Sequence, residues 1–383
     1  MTNSAYDSEL EMKPLTVVKR FTGVGAQPFA PLAVEAEAAL RQFSLERLMA
    51  YGVADADAKE LRNRVAQGEA WMAVAQDMAA ICLAPPESAV APASPCTAAN
   101  RLYRASALFR MSQMMFLTDN DERRAIVAES LRLYTEASRL SGDRTPVSID
   151  TDGGVLGGWL HAATTSPAVG SAIVIGGIEG WAMDFGPLGS ALARRGINAL
   201  LLDGPGQGES RLAHRHHLTS EWAGAYRKAV DFLESKFNGA PIGIVGNSMG
   251  GAVATLVATM DGRIGACVNN GGPMDPARAE ANPSFFKKMI THCGEVSHQD
   301  ALKIWGTVSL VFSADSVRCP YLVVQGARDP LVTMDEAFRV FEHAQSKDKS
   351  MVVFSDGDHC VYNHEDDKRD LIADWLASRL AGC

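Results

Sequence analysis

Short apolar segments alternate with helical segments after residue 145, and this alternation constrains the fold more than any other feature. The apolar segments are PVSIDT, VLGGWLHAA, SAIVIGG, INALLLDG, IGIVGNS, GACVNNGG, YLVVQGARD and MVVFSDGD. The helical segments predicted between and after them are 185–195, 223–237, 252–260, 334–344 and 366–380. This alternation predicts an α/β architecture, a largely parallel sheet with helices on both faces. Only a tight turn separates the first two segments, so we expect an antiparallel start.

The first 145 residues have a different pattern, with apolar residues at helical spacing. VEAEAALRQFSLERLMAYG ends at Gly52, a natural helix stop, and a helical stretch over 56–84 follows, with a predicted break at Gly68. Two more helices are predicted, one over 98–116 and one that opens after TDNDE and runs to about residue 140. We therefore expect an all-helical N-terminal lid domain over 1–145 and a catalytic domain over 146–383. The stretch 273–318 is too long for a plain connection and predicts a helical insertion beside a pocket.

Composition and charge exclude several classes of function. The net charge of −9, from 36 basic and 45 acidic residues, argues against a nucleic-acid-binding protein. The polar N-terminus predicts no signal peptide, and no apolar run is long enough to predict a membrane span. The seven cysteines are scattered and never form a CxxC pair, which argues against a disulfide framework or a metal site. We expect a cytoplasmic protein without a cofactor.

The segment GIVGNSMGGA contains a candidate nucleophile. Gly246, Ser248 and Gly250 form a G-x-S-x-G motif between an apolar strand and a helix, the context that gives the motif its meaning. The glycines permit a sharp turn, and the serine hydroxyl is exposed above the sheet. Ser248 is therefore predicted to be a catalytic nucleophile.

A serine needs a base, and this motif requires an acid and then a histidine later in the chain. Asp329 follows the strand YLVVQG, and His359 follows the last strand, MVVF. Both positions lie at strand carboxyl ends, where the site of such a sheet is expected. His359 would accept the serine proton, and Asp329 would orient the imidazole. Asp356 and Asp358, which lie closer to His359 in the sequence, are interpreted as turn residues.

The loop VIGGIEGWAMDFG follows another strand of the same sheet. The backbone N–H of Met249 and a second N–H from this loop, that of Ile178 or Glu179, are predicted to bind an oxyanion. Substrate-pocket residues are predicted at Gly177, Trp181 and Asn247.

Glu179 in this loop is the least expected residue, because an acid is unfavourable near a developing negative charge. Buried against Trp181 under a lid, its carboxyl would have a raised pKa and could protonate a departing carbanion or donate to a substrate carbonyl. An ionised Glu179 could instead bind a substrate amine. A third alternative is that it pairs with an arginine or caps a backbone amide.

These motifs together resemble one branch of the α/β-hydrolases. GGIEG, LLDGPGQGES, the serine motif, GARDP and GDH, after an N-terminal helical region, are similar to the branch typified by 2,6-dihydroxypseudooxynicotine hydrolase. FrsA-type esterases and fungal polyketide-shortening hydrolases belong to the same branch. The resemblance implies an α/β-hydrolase fold with the catalytic triad Ser248, Asp329 and His359, assisted by Glu179.

The resemblance also implies hydrolysis of a C–C bond next to a ketone, on a small aromatic or polyketide-type substrate between the two domains. It implies a homodimer formed through the helical region. A carboxylesterase or thioesterase is the alternative enzyme. A non-catalytic binding protein is a third hypothesis, which the presence of serine, aspartate and histidine in the required order disfavours.

Overall fold

The computed structural model describes residues 32–84, 93–313 and 315–382, and these ranges contain an eight-stranded sheet. The strands are β1 (Thr145–Thr151), β2 (Gly154–His161), β3 (Gly170–Ile175), β4 (Ile197–Leu202), β5 (Ile242–Asn247), β6 (Ile264–Asn270), β7 (Tyr321–Gly326) and β8 (Lys349–Phe354). Their order across the sheet is β1-β2-β4-β3-β5-β6-β7-β8. β1 and β2 are antiparallel to each other, β2 is antiparallel to β4, and all other neighbours are parallel. The predicted sheet and its antiparallel start are confirmed.

Within the described part of the chain before residue 145, six helices precede the sheet and form the helical region. They are α1 (Val34–Gln42), α2 (Leu45–Ala50), α3 (Asp55–Ala66), α4 (Trp71–Leu83), α5 (Pro95–Ser112) and α6 (Asp121–Ser141). The first predicted helix is interrupted before its end at Gly52, because Ser44 caps a new helix by accepting from the Arg47 N–H at 3.1 Å. The boundary at residue 145 between two independent domains stays a prediction. Residues 1–31, which include the polar N-terminus, lie outside the described residues.

The remaining helices cover the sheet or belong to the insertion. They are α7 (Gly186–Arg194), α8 (Gly208–Leu212), α9 (Trp222–Lys236), α10 (Met249–Met260), α11 (Pro283–His292), α12 (His298–Gly306), α13 (Met334–His343) and α14 (Glu365–Leu380). Short 3₁₀ turns are Gln113–Met115, Ala182–Phe185, Pro276–Ala281, Leu310–Phe312 and His359–His364. Within the described ranges, no helix has the length and hydropathy needed to cross a membrane.

Alternate side chains of the central strands pack on opposite faces of the sheet. In β3, Ile173 and Ile175 join the core beneath α9 and α10, whereas Ala172 and Val174 join the core beneath α7 and α14. All six residues of β3 are buried, which explains the continuous apolar run in the sequence. With helices covering both faces, the carboxyl ends of the parallel strands remain available to carry a site.

The helical region has its own apolar core, and that core reaches the sheet. It includes Trp71 and Leu108 from the helices, and it also contains Cys360 and Tyr362, which follow β8. A buried ion pair adds a second connection: Arg110 Nε of α5 donates to Asp184 Oδ1 at 2.6 Å, in the turn after β3. The helical region therefore packs directly on the end of the sheet that carries the predicted catalytic residues.

Candidate active site

The turn between β5 and α10 holds Ser248 in a conformation that side chains rarely adopt. Its φ and ψ are 55° and −128°. The turn is tight because its neighbours are glycines: a Cβ on Gly246 would lie 1.9 Å from the Gly250 carbonyl oxygen, and one on Gly250 would lie 2.3 Å from the Gly176 oxygen. No side chain larger than a hydrogen fits at either position. This local geometry explains the spacing of the G-x-S-x-G motif.

The structure brings Ser248, His359 and Asp329 together in one hydrogen-bonded chain. The Ser248 hydroxyl lies 2.8 Å from His359 Nε2, and His359 Nδ1 lies 2.8 Å from Asp329 Oδ2. With the proton on Nδ1, the ring donates to the carboxylate and accepts from the serine. The three residues follow β5, β8 and β7, which end at the same edge of the sheet.

Asp329 is fixed by donors on its own loop. Its Oδ1 accepts from the backbone N–H groups of Leu331 and Val332 at 2.7 and 3.0 Å, and its Oδ2 accepts from Gln325 Nε2 at 3.3 Å. The side chain is fully buried. These bonds leave Oδ2 directed at the His359 ring and hold it there without a contribution from solvent.

The environment of His359 makes its ring more basic than an ordinary histidine. Burial lowers the pKa of His359, but the Cys360 sulfur and the Asp329 carboxylate raise it, and the net pKa lies above its usual value. Cys360 Sγ lies 3.5 Å from Nε2 and 3.6 Å from the Asn270 carbonyl oxygen. A thiol that donates to Asn270 turns its lone pairs toward the ring, which favours the protonated imidazole.

The loop after β3 runs directly against the serine. A Cβ on Gly177 would lie 2.9 Å from Ser248 Cβ and 3.2 Å from its Oγ, so only glycine permits this approach. The side chain of Gln207 holds the same loop from the other side, because its Nε2 donates to the carbonyl oxygens of Gly176 and Gly177 at 2.7 and 2.9 Å. Ile178 follows in this loop, and Met249 opens the first turn of α10, where N–H groups have no partner within the helix.

Asp203 fastens this loop at a second point. Its Oδ1 accepts from the Ala182 N–H at 2.8 Å, and its Oδ2 accepts from the Glu209 N–H at 2.9 Å. Burial raises the pKa of this carboxyl to about 7. The turn after β4 therefore holds the loop after β3 at both of its ends, through Gln207 and Asp203.

Glu179 lies at the centre of a buried charged group that we call the Glu179 cluster, formed by Gln42, Arg47, Glu179 and Lys288. Its Oε1 accepts from Lys288 Nζ, and its Oε2 accepts from Gln42 Nε2 and pairs with Arg47 Nη2 at 3.3 Å. The exposed fraction of these charged side chains is 7% for Glu179, 10% for Lys288 and 16% for Arg47. The cluster joins α1, α2 and α11 to the loop after β3.

The charges of this cluster reverse the expected pKa shift of Glu179. Burial alone would raise the pKa, as the sequence analysis expected, but Lys288 and Arg47 lower it by more, and the net pKa lies below its usual value. The alternative with a raised pKa was therefore wrong in direction, whereas the alternative in which Glu179 pairs with an arginine is confirmed by its ion pair with Arg47. The raised pKa was inferred from burial alone. Lys288 and Arg47 lie on distant helices, and the sequence of the loop does not show that they contact Glu179.

Two predicted pocket residues have surroundings that favour other roles. Trp181 is 1% exposed and packs with Val127 of α6 and Leu212 of α8, which favours a structural contact. Asn247 accepts from Asn270 Nδ2 at 2.7 Å. It also lines a cleft between α2, α7 and α14 whose lining residues include neither Ser248 nor His359. As substrate contacts, both residues stay predictions, whereas Gly177 lies against the serine.

The sequence analysis missed Arg47, Lys288 and Gln207. Arg47 and Lys288 lie on amphipathic helices far from the motifs, and nothing in their local sequence distinguishes them from surface cations. Gln207 had a signal, since it belongs to DGPGQGES, the segment that carried part of the family resemblance. The sequence analysis gave this glutamine no role of its own.

Comparison with known proteins is consistent with this geometry. A model of the alpha/beta hydrolase family matches residues 157–375, more than half of the chain. The chain is 26% identical over 270 residues to 2,6-dihydropseudooxynicotine hydrolase of Paenarthrobacter nicotinovorans, covering 68% of this chain and 72% of that protein.

Two solved structures extend the comparison of the fold. The crystal structure of 2,6-dihydroxy-pseudo-oxynicotine hydrolase superposes with a TM-score of 0.77 at 24% identity, covering 88% of this chain and 96% of the other. AbyA5 superposes with a TM-score of 0.62 at 17% identity, covering 74% and 84%. At these identities the superpositions establish the fold, including its N-terminal helices. This chain belongs to the alpha/beta hydrolase family and is a hydrolase.

Proposed function

We propose that this protein hydrolyses a C–C bond next to a ketone by nucleophilic catalysis at Ser248. The observation that carries the proposal is the hydrogen-bonded chain from Ser248 through His359 to Asp329, with 2.8 Å at each step. The sequence relative named above, which is a hydrolase of 2,6-dihydropseudooxynicotine, supports the choice of a ketone substrate. A small β-diketone-like molecule with an aromatic or polyketide-type chain is the proposed substrate class.

The reaction proceeds in two halves. Ser248 Oγ attacks the ketone carbon while His359 Nε2 accepts the hydroxyl proton, and the carbonyl becomes a tetrahedral oxyanion. The C–C bond then breaks, and its electron pair moves onto the carbon beside the second carbonyl. The proton on His359 is delivered to this enolate, which leaves an acyl group on the serine. Water, deprotonated by His359, attacks the acyl carbon and releases a carboxylic acid. In a variant of this scheme, water activated by His359 attacks the ketone directly.

Backbone N–H groups of Met249 and Ile178 are the proposed oxyanion donors. They lie at the start of α10 and in the loop against Ser248, respectively. Donors of this kind act in a site from which water is excluded, and one of them is typically worth about 10²- to 10³-fold in kcat.

Glu179 is proposed to assist in its ionised form. One carboxylate faces two cations in the Glu179 cluster, so the cluster keeps a formal excess of one positive charge beside the loop. Such an excess stabilises an enolate leaving group through space, and Glu179 holds Lys288 and Arg47 in position to provide it. The acid in this loop is then explained by the cations that it holds.

A carboxylesterase or thioesterase is the second candidate function. The ionised state of Glu179 favours it, since a carboxylate already engaged with Lys288 and Arg47 is a poor proton donor. Ester cleavage needs no such donor, because an alkoxide leaving group is protonated by the histidine.

Turnover assays on a 1,3-diketone and on an ester of the same acyl group test these alternatives. Wild type, Ser248→Ala and Glu179→Gln are compared on both substrates, with Lys303→Met as a surface control. We expect wild type to cleave the diketone, Ser248→Ala to cleave neither substrate, and Glu179→Gln to lose diketone cleavage while it spares the ester. If Glu179→Gln retains equal fractions of both activities, Glu179 is a structural residue and the esterase function takes precedence.

We also propose a homodimer formed through the helical region in a cytoplasmic protein. The resemblance to the hydrolase branch described above supports a dimer through this region. Light scattering of the purified chain should give twice the monomer mass of 41.0 kDa. A monomer mass at micromolar concentration would contradict the proposal.

A further inference from the structure

We infer that Gln207 is a positioning residue that orients the Ile178 N–H toward the oxyanion. The inference rests on the proposed function, because it concerns the loop that would supply the second oxyanion donor. It also decides between the two donors that the sequence left open. The hydrogen bonds of the Gln207 side chain go to backbone groups of Gly176, Gly177 and Gly204.

The argument begins with the direction of two carbonyl groups. Gln207 Nε2 donates to the oxygens of both Gly176 and Gly177, at 2.7 and 2.9 Å. These oxygens therefore point toward the same side-chain amide. In a trans peptide the C=O and the following N–H point in opposite directions. The N–H groups of Gly177 and Ile178 therefore point away from Gln207.

The position of Ser248 completes the geometry. The Gly177 backbone packs so closely on Ser248 that an added Cβ would lie 2.9 Å from the serine Cβ. The Ile178 N–H thus belongs to the stretch of backbone that meets the nucleophile, and the bond from Gln207 to the Gly177 carbonyl fixes the rotation of that peptide plane. A rotated peptide would present its carbonyl oxygen to the oxyanion in place of its N–H.

Gln207 is itself held rigidly enough to set this orientation. Its side chain is 7% exposed, and its Oε1 accepts from the Gly204 N–H at 2.9 Å. Both amide hydrogens and the amide oxygen are therefore engaged, all with backbone groups. A buried amide with these partners fixes two loops relative to each other, since any rotation leaves polar groups unpaired. Asp203 holds the far end of the same loop at Ala182.

Gln207→Met tests the role, because methionine matches glutamine in length and has no donor. The control variant is Asn198→Leu, which removes a buried amide that accepts from the Ala163 N–H at 3.0 Å at the amino end of β4. The measurements are kcat and KM on an ester, the rate ratio between that ester and its thionoester, and the melting temperature of each variant. The thionoester places sulfur, a weak acceptor, where the oxyanion oxygen forms.

We expect Gln207→Met to lower kcat about 10- to 100-fold with KM within about twofold, since a displaced donor costs less than a deleted one. The ester-to-thionoester ratio should fall toward one, while Asn198→Leu leaves both kcat and the ratio near wild type. An unchanged ratio, or a kcat loss equal in both variants, overturns the inference.

Two further results separate a failure of this inference from a folding defect and from a failure of the proposed function. If Gln207→Met does not fold, Gln207→Glu decides, because its carboxylate keeps the size but faces two carbonyl oxygens without a donor at neutral pH; it should show the same fall in ratio. Wild type that cleaves neither ester nor diketone would contradict the proposed function, whereas active wild type with an unaffected Gln207 variant contradicts only the role of Gln207.

Discussion

The Ser248–His359–Asp329 chain and the Glu179 cluster lie at the same edge of the sheet but are built on opposite principles. The chain joins three loops of the sheet through two hydrogen bonds of 2.8 Å, and Ser248 and His359 remain partly exposed. The Glu179 cluster joins the helical region and the insertion to the sheet through buried charges. A substrate must reach the serine hydroxyl and the imidazole, so these side chains need some exposure. Buried ion pairs instead hold segments of the protein in a fixed relative position. We therefore propose that Ser248, His359 and Asp329 perform the chemistry, whereas the Glu179 cluster holds the helical region and the insertion in place around them.

The largest expected effect is a loss of activity without a loss of stability when Ser248 is replaced. Ser248→Ala should lower kcat/KM by about 10³-fold or more, because it deletes the nucleophile, as losses in other serine hydrolases indicate. The melting temperature should remain within about 2 °C of wild type, since a partly exposed hydroxyl is removed. Steady-state kinetics and calorimetry measure both quantities. Activity within tenfold of wild type would exclude Ser248 as the nucleophile.

The Glu179 cluster should give the opposite result, a large loss of stability. Lys288→Met removes one of the two cations that contact the buried Glu179 carboxylate and leaves Arg47 as its partner, and losing one hydrogen-bond partner of a buried group costs about 1–3 kcal/mol in the free energy of unfolding. Chemical denaturation measures this loss. Lys303→Met is the matched control, because its pair with Asp300 is exposed and screened by solvent, so the free energy of unfolding should stay near that of wild type.

A double variant distinguishes a charge effect from a packing effect. Glu179→Gln alone leaves Lys288 and Arg47 without their carboxylate, and adding Lys288→Met removes one of these two cations, so the double variant should be more stable than Glu179→Gln. If the double variant is less stable than Glu179→Gln alone, the cluster contributes through shape and not through charge.

A smaller effect is expected in the pH dependence of kcat/KM. The base must be neutral to accept the serine proton, and the pKa of His359 is raised, so activity should fall with decreasing pH through a pKa above the ordinary value of about 6.5. Cys360→Ala removes the sulfur beside Nε2 and should move this limb to lower pH. Cys267→Ala, a buried cysteine of β6, is the control and should leave it unchanged. A limb that does not move in Cys360→Ala excludes the sulfur as its cause.

The three catalytic candidates and the Glu179 cluster also differ in how far the sequence predicts them. Ser248, Asp329 and His359 could be located because each follows an apolar strand, and parallel strands end at one edge of a sheet. Pairing with an arginine was one of three alternatives for Glu179, but its partners could not be identified, since Arg47 and Lys288 meet it only through the packing of distant helices. Burial was inferred correctly for Glu179, but the sign of a pKa shift depends on partners that only the fold reveals.

The fold shows the same contrast. The central strands were located from their own residues, because a strand buried on both faces is largely apolar, as β3 and β5 are. The interruption between α1 and α2 was missed, because Ser44 reads as one polar position in an amphipathic pattern until its capping bond is seen. Local chemistry therefore predicts elements well and their capping less well.

Labelling with a serine-reactive phosphonate tests the central claim most directly. The account predicts one adduct per chain, located by mass spectrometry on Ser248, formed much more slowly in His359→Asn and absent from Ser248→Ala. The same reagent should label Lys288→Met at Ser248 under conditions where that variant is folded. An adduct on another residue, or no adduct on folded wild-type protein, would contradict the assignment of the chemistry to Ser248.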